Sequence, residues 1–154
     1  MRIQLVGSIH GIDCRRMIHR NGLDDMVEIV GYVPHRESIE YMMASDLLLL
    51  LISDESGSDL VTGKIYEYLA SAKPILAIVP KGEASKLVLE YARGVVVPPN
   101  NEDGITAFIL RLYFLWERGD LRISVPRWGG MADYERRHQT GKLAELFDKL
   151  LSDK

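Results

Sequence analysis

The sequence predicts an α/β protein built on a parallel β-sheet with helices on both faces, and three observations carry that prediction. Short runs rich in Val, Ile and Leu recur along the chain, longer segments of helical periodicity separate them, and Gly, Pro, Asp or Asn bound each run. Parallel strands are covered on both faces and so read as continuous apolar runs, and the crossovers between them need helices. A chain of 154 residues, 47% hydrophobic and 27% charged, suits one soluble globular domain with a single core.

Taken in chain order, strands are expected at Ile3–Val6, Val27–Gly31, Asp46–Ile52, Pro74–Val79 and Val95–Val97. Helices are expected between and after them at Ile12–Arg20, His35–Ala44, Gly63–Ala72, Glu83–Arg93 and Glu102–Glu117. In the first helix Cys14, Met17 and Ile18 share a face, which makes Cys14 a core thiol rather than a nucleophile. In the fifth, Phe108, Ile109, Leu112, Leu115 and Trp116 form a stripe expected to pack in the core. Arg118–Asp133 contains Gly and Pro and reads as a surface connection; within it Trp128 is either a loop anchor or a contact for another domain. A final helix, Tyr134–Leu151, is marked by Leu143, Leu146, Phe147 and Leu150 at i, i+3, i+4 and i+7. There are no internal repeats and no low-complexity tracts.

Composition excludes several function classes. The net charge of −3, with acids and bases interspersed, offers no basic surface for nucleic acid. One cysteine cannot build a disulfide framework, and no run approaches the roughly 20 apolar residues of a membrane span, so a cytoplasmic location is expected. His10, His19, His35 and His138 are scattered and share no metal-ligand spacing, so no metal site is expected among them. There is also no Asp-x-Asp pair of the kind that can hold a metal against a diphosphate.

The segment with chemical content follows the third strand. Ser53 to Thr62 forms a small polar loop, and a helix then opens at Gly63-Lys64-Ile65-Tyr66-Glu67. Ligands of open α/β sheets gather outside the carboxyl ends of the strands, and a helix N-terminus offers free backbone N–H groups and a partial positive charge. The loop is therefore a natural anion site. Ile65, Leu69 and Ala72 repeat at i, i+4 and i+7 and should face the sheet, whereas Glu67 lies about 200° around the helix from Ile65 at about 100° per residue. Its carboxylate is free to point into a cleft. From spacing alone, Lys64 and Glu67 are equally readable as solvated helix residues. A Walker-type loop fails, because five residues separate Gly57 from Gly63-Lys64 where the pattern has four, and Ile65 follows in place of Ser or Thr. A dinucleotide fingerprint fails as well, since Gly7-Ser8-Ile9-His10-Gly11 lacks the G-x-G-x-x-G pattern.

Three stretches resemble a known family. Val27-Glu28-Ile29-Val30-Gly31-Tyr32-Val33-Pro34, then Ala44-Ser45-Asp46 before an apolar strand, then Gly63-Lys64-Ile65-Tyr66-Glu67-Tyr68-Leu69-Ala70-Ser71-Ala72-Lys73-Pro74 are similar to the carboxyl-terminal domain of group 1 (family 4-like) retaining glycosyltransferases of the GT-B kind. The likeness continues through Gly94-Val95-Val96-Val97 to the Tyr134-Glu135-Arg136-Arg137 segment.

The resemblance implies a function and a site. In that family two acidic residues seven positions apart bracket the loop, the first touching the donor sugar and the second the ribose hydroxyls. They fall here on Asp59, where the family pattern carries Glu, and on Glu67. An ionised carboxylate can accept hydrogen bonds from both hydroxyls of a ribose diol. Thr62, Gly63 and Lys64 match the positions that meet the diphosphate, and Tyr32 and Val33 match the loop beside the nucleobase. The expected donor is a nucleoside-diphosphate sugar, transferred with retention, as by a hexosyltransferase, and with no cofactor or metal.

The resemblance also implies what this chain lacks. The family's acceptor-binding amino-terminal domain is not represented, and any peripheral membrane association would come through that part. The family's donor domain opens with a strand and helix that carry an Arg and a Lys for the diphosphate, yet Ile3–Val6 matches its second strand. In a sheet of order 3-2-1-4-5-6 the first strand is central, so Ile3–Val6 should keep an unpaired edge unless it closes on Asp46–Ile52. A rival reading is a noncatalytic nucleotide-binding or interaction module of the same fold.

Overall fold

The computed structural model describes residues 1–57, 59–92, 94–121 and 134–152, with the Ser56 side chain excepted. They divide into two compact units, Met1–Ser45 and Asp46–Lys154. The strands are β1 (Ile3–Val6), β2 (Val27–Gly31), β3 (Leu48–Leu51), β4 (Ile75–Ile78) and β5 (Gly94–Val97). The helices are α1 (Cys14–Arg20), α2 (His35–Ala44), α3 (Gly63–Ala70), α4 (Glu83–Tyr91), α5 (Glu102–Glu117) and α6 (Arg136–Ser152), with a 3₁₀ turn at Asp54–Ser56. The α/β alternation expected from the sequence is present, and every strand pairing is parallel.

The strands form two ladders. β1 pairs with β2 from Ile3 opposite Val27 to Val6 opposite Gly31, with an irregularity between Leu5 and Val6. β3, β4 and β5 form a second sheet in that order, with Leu48 opposite Ile75 and Ile75 opposite Gly94. Among the described residues β1 pairs only with β2, and β3 only with β4.

The core lies in the second unit. Leu48, Leu50, Ile65, Leu69, Ile75, Leu76, Val79, Val88 and Val97 are buried there, with α4 packed on β4 and β5, α5 on β5 and α3 against α4. In the first unit none of the described residues is fully buried. The expected core face of α1 is accordingly shallow: Cys14 is half-buried and Met17 is 56% exposed. The all-leucine strand β3 also departs from expectation. Leu48 and Leu50 are buried, but Leu49 and Leu51 on the opposite face are exposed, so the strand is covered on one side.

Helix boundaries follow local chemistry. α1 starts where the Asp13 carboxylate accepts the Arg16 N–H at 3.0 Å, later than the expected Ile12. α3 ends at Ala70 instead of running to Ala72, because Pro74 disfavours helical backbone at Lys73. The chain leaves α3 through Ala72 in the left-handed region, φ 55°. Asn101 caps α5 by accepting the Gly104 N–H at 2.9 Å. The stripe on α5 is only partly covered: Phe108, Ile109, Leu112 and Leu115 are half-buried and Trp116 is exposed, stacked on Tyr113 at 6.1 Å. Trp116 sits in the last helical turn. The apolar stripe of α6, Leu143, Leu146, Phe147 and Leu150, is exposed throughout. Trp128 and most of the predicted Arg118–Asp133 connection lie outside the described residues.

Candidate functional site

Because β3 and β4 run parallel with Leu51 opposite Ile78, the chain leaves both strands at the same sheet end. The loop from Ile52 leads into α3 and the turn from Val79 leads into α4, so two helix N-termini open at that end. These helices pack against each other.

α3 is anchored by Ile65 and Leu69, which are 0% and 2% exposed. Its N-cap is Thr62, in extended backbone. A threonine there ordinarily accepts a hydrogen bond from the first turn, but the Thr62 side chain makes no capping bond, and its Oγ1 is buried without a partner. An unsatisfied buried hydroxyl costs about 1–3 kcal/mol, which a ligand oxygen could relieve. The first-turn N–H groups of Gly63 and Lys64 have no acceptor within the helix. Both residues are exposed, and open space surrounds the Gly63 Cα. Hydroxyl, amides and helix dipole together suit an anion.

Glu67 is exposed one turn further along, on the side away from buried Ile65. Its neighbour Tyr68 is shifted above the usual phenol range, first by burial and then by the charge of Glu67. Lys64 is also exposed. Asp59 is exposed in the loop before Thr62.

At the mouth of α4, Gly82 is fully extended, and Ser85 Oγ both accepts the Gly82 N–H at 2.9 Å and donates to the Gly82 carbonyl at 2.7 Å. Lys86 pairs with Glu83 and is held protonated above its usual range, first by that hydrogen bond and charge, with a smaller contribution from Asp59. Sequence reasoning passed over this Glu83–Lys86 pair; its only signal is the i, i+3 spacing of opposite charges in a first helical turn.

Thr62, Gly63, Lys64 and Glu67 thus lie along the start of α3, and Asp59 lies in the loop that precedes it. Tyr32 and Val33 belong to the first unit, directly after β2: Tyr32 is 79% exposed and Val33 half-buried. Among the described residues no three His, Cys, Asp or Glu side chains cluster as metal ligands, and no helix is long and apolar enough to cross a membrane.

Residues 1–114 match the family described as Glycosyl transferases group 1. Among solved structures, the chain is similar to HepE of Anabaena in complex with UDP, at 19% identity and a TM-score of 0.70, the alignment covering 100% of this chain and 41% of that one. It is similar to HepE in complex with UDP-glucose at 19% identity and a TM-score of 0.68, covering 99% of this chain and 41% of that one. The chain therefore spans less than half the length of HepE. At this identity the likeness establishes a shared fold. No curated protein matches the sequence.

Proposed function

The chain belongs to the group 1 glycosyl transferases, and from that premise we propose that it is the donor-binding, carboxyl-terminal half of a retaining, family 4-like hexosyltransferase of the GT-B kind. Its substrate on this reading is a nucleoside-diphosphate sugar, bound without a metal or other cofactor. The observation that carries the proposal is the mouth of α3, where the orphaned Thr62 hydroxyl, the Gly63 and Lys64 amides and the Glu67 carboxylate share one helix start. Phosphate oxygens suit the first three, and a ribose diol suits the last. By the family resemblance, Asp59 is assigned to the sugar, and Tyr32 and Val33 of the first unit are assigned to the base.

The division of labour is read from the order of these residues along α3. Glu67 holds the ribose as an acceptor, and its position one turn beyond Gly63 matches the step from ribose to diphosphate along a nucleotide. Lys64 adds a positive charge where the leaving diphosphate gathers negative charge during transfer. The acceptor must be held in line with the anomeric carbon, and such positioning requires a second domain that closes on the first. The 154-residue chain on its own therefore binds a donor and transfers no sugar.

Uridine nucleotides are the first ligands to try, since HepE was solved with UDP and UDP-glucose. Glu67→Ala is expected to weaken UDP binding by about 1.5–3 kcal/mol, the worth of hydrogen bonds to a charged acceptor. Calorimetry or NMR titration showing wild-type affinity in a folded variant would overturn the ribose assignment.

A further inference from the structure

α3 carries a second anchor that the donor site itself does not account for. Ile65 and Leu69 are buried on one side of the helix, and α3 packs against α4. Tyr66, about 100° further around, packs its ring against Tyr134, with centroids 5.4 Å apart and planes tilted by 36°. Tyr134 in turn meets Tyr91, the last residue of α4, edge-on at 5.7 Å and 77°. All three rings are half-buried. Tyr134 stands two residues before α6, and the carbonyl of the intervening Glu135 accepts the Gln139 N–H of that helix at 3.0 Å. One ring therefore joins the beginning of α6, the end of α4 and the first turn of α3, between Lys64 and Glu67.

This placement bears on the direction of Glu67. Two anchors about 100° apart fix the roll of a helix, whereas the buried Ile65–Leu69 side alone leaves it freer to rock. Side-chain ends lie about 5–6 Å from a helix axis, so a roll of about 20° would move the Glu67 carboxylate by about 2 Å. That displacement is enough to break a charge-assisted hydrogen bond of about 2.7–2.9 Å.

We infer that Tyr134 is a positioning residue that, by stacking on Tyr66, sets the roll of α3 and so aims Glu67 at the ribose hydroxyls of the nucleotide. The inference rests on the reading of Glu67 proposed above. It also makes the α6 segment a determinant of nucleotide recognition.

The test compares UDP with 2′,3′-dideoxy-UDP, which lacks the diol, by NMR shift titration of the whole chain. The wild type should prefer UDP by about tenfold or more, as hydrogen bonds to a charged group allow. Tyr134→Phe keeps the ring and should keep the preference. Tyr134→Ala should reduce the preference to about threefold or less while changing dideoxy-UDP binding by less than about twofold, because only the diol contact is misaimed. Tyr66→Leu, which removes the partner ring from the α3 side, should do the same and serves if Tyr134→Ala does not fold. An unchanged preference in the folded Tyr134→Ala or Tyr66→Leu chain, including equal losses for both ligands, overturns the inference. Glu67→Ala separates the two levels. If it leaves the preference intact, the ribose reading itself falls, and the inference falls with it. If it abolishes the preference while the tyrosine variants do not, only the positioning role falls.

Discussion

Val88 of α4 packs directly over Gly94 of β5, so that a Cβ added to Gly94 would overlap the Val88 Cγ1 atom and stand 3.1 Å from the Ile75 carbonyl oxygen. Val88 is fully buried and the carbonyl belongs to the β4–β5 ladder, so neither neighbour can yield cheaply. Gly94→Ala should destabilise the chain by about 1–3 kcal/mol through overpacking. Urea denaturation measures the loss, and an unchanged midpoint would show that α4 can lift from the sheet without cost.

Ala72 presents the opposite case. Its φ of 55° places a Cβ in the left-handed region, where an L-residue other than glycine is strained by roughly 1–2 kcal/mol. Ala72→Gly relieves that strain but loosens the unfolded chain by about 0.4–1 kcal/mol. A net gain of about 0.5–1 kcal/mol is expected, read as a raised thermal midpoint with nucleotide binding unchanged. A lowered midpoint would contradict it.

Tyr91 gives stability a dependence on alkaline pH. Its phenol is pushed up to about 12, first by a hydrogen bond to Glu90, then by burial and the Glu90 charge, with Tyr134 contributing last. Raising the folded-state value above the ordinary 10 means that the neutral phenol is favoured by the fold. This contribution is fully present below pH 10 and is lost as pH rises through about 12. Urea midpoints should fall across that window, and Tyr91→Phe should flatten part of the fall. An identical slope in the variant would remove Tyr91 as its source.

The proposed diphosphate site depends on amides, a hydroxyl and one lysine. Lys64→Gln should weaken UDP binding by about 1.5–3 kcal/mol at low salt, with the difference shrinking as ionic strength rises. EDTA should leave wild-type affinity unchanged. If chelation abolishes binding and added divalent metal restores it, the metal-free proposal is wrong.

Much of the fold was legible because it is written in local patterns. The Val27–Gly31 strand and the His35–Ala44 and Glu102–Glu117 helices stand where apolar runs and helical periodicity placed them. The strand, polar loop and helix around Gly63 were legible for the same reason, and so was the outward direction of Glu67, which needs only the helical angle from Ile65. The capping of α4 by Ser85 Oγ and Gly82 was harder to see, because extended glycine carries no residue-type signal.

The sequence by itself determined the alternation of strands and helices, the parallel pairing and the polar loop before α3, since spacing and residue type within a dozen positions decide each of these. Only the tertiary structure decided which apolar stripes are covered, because burial belongs to a pair of surfaces and not to one segment. The stripe of α6 and one face of β3 are exposed despite patterns that read as core, while Ile65 and Leu69 are buried. It also decided that the strands form two ladders, and that Tyr66, Tyr91 and Tyr134 share one cluster. Contacts between residues this far apart in the chain leave no periodic trace, and they exist only once α3, α4 and the start of α6 have been brought side by side.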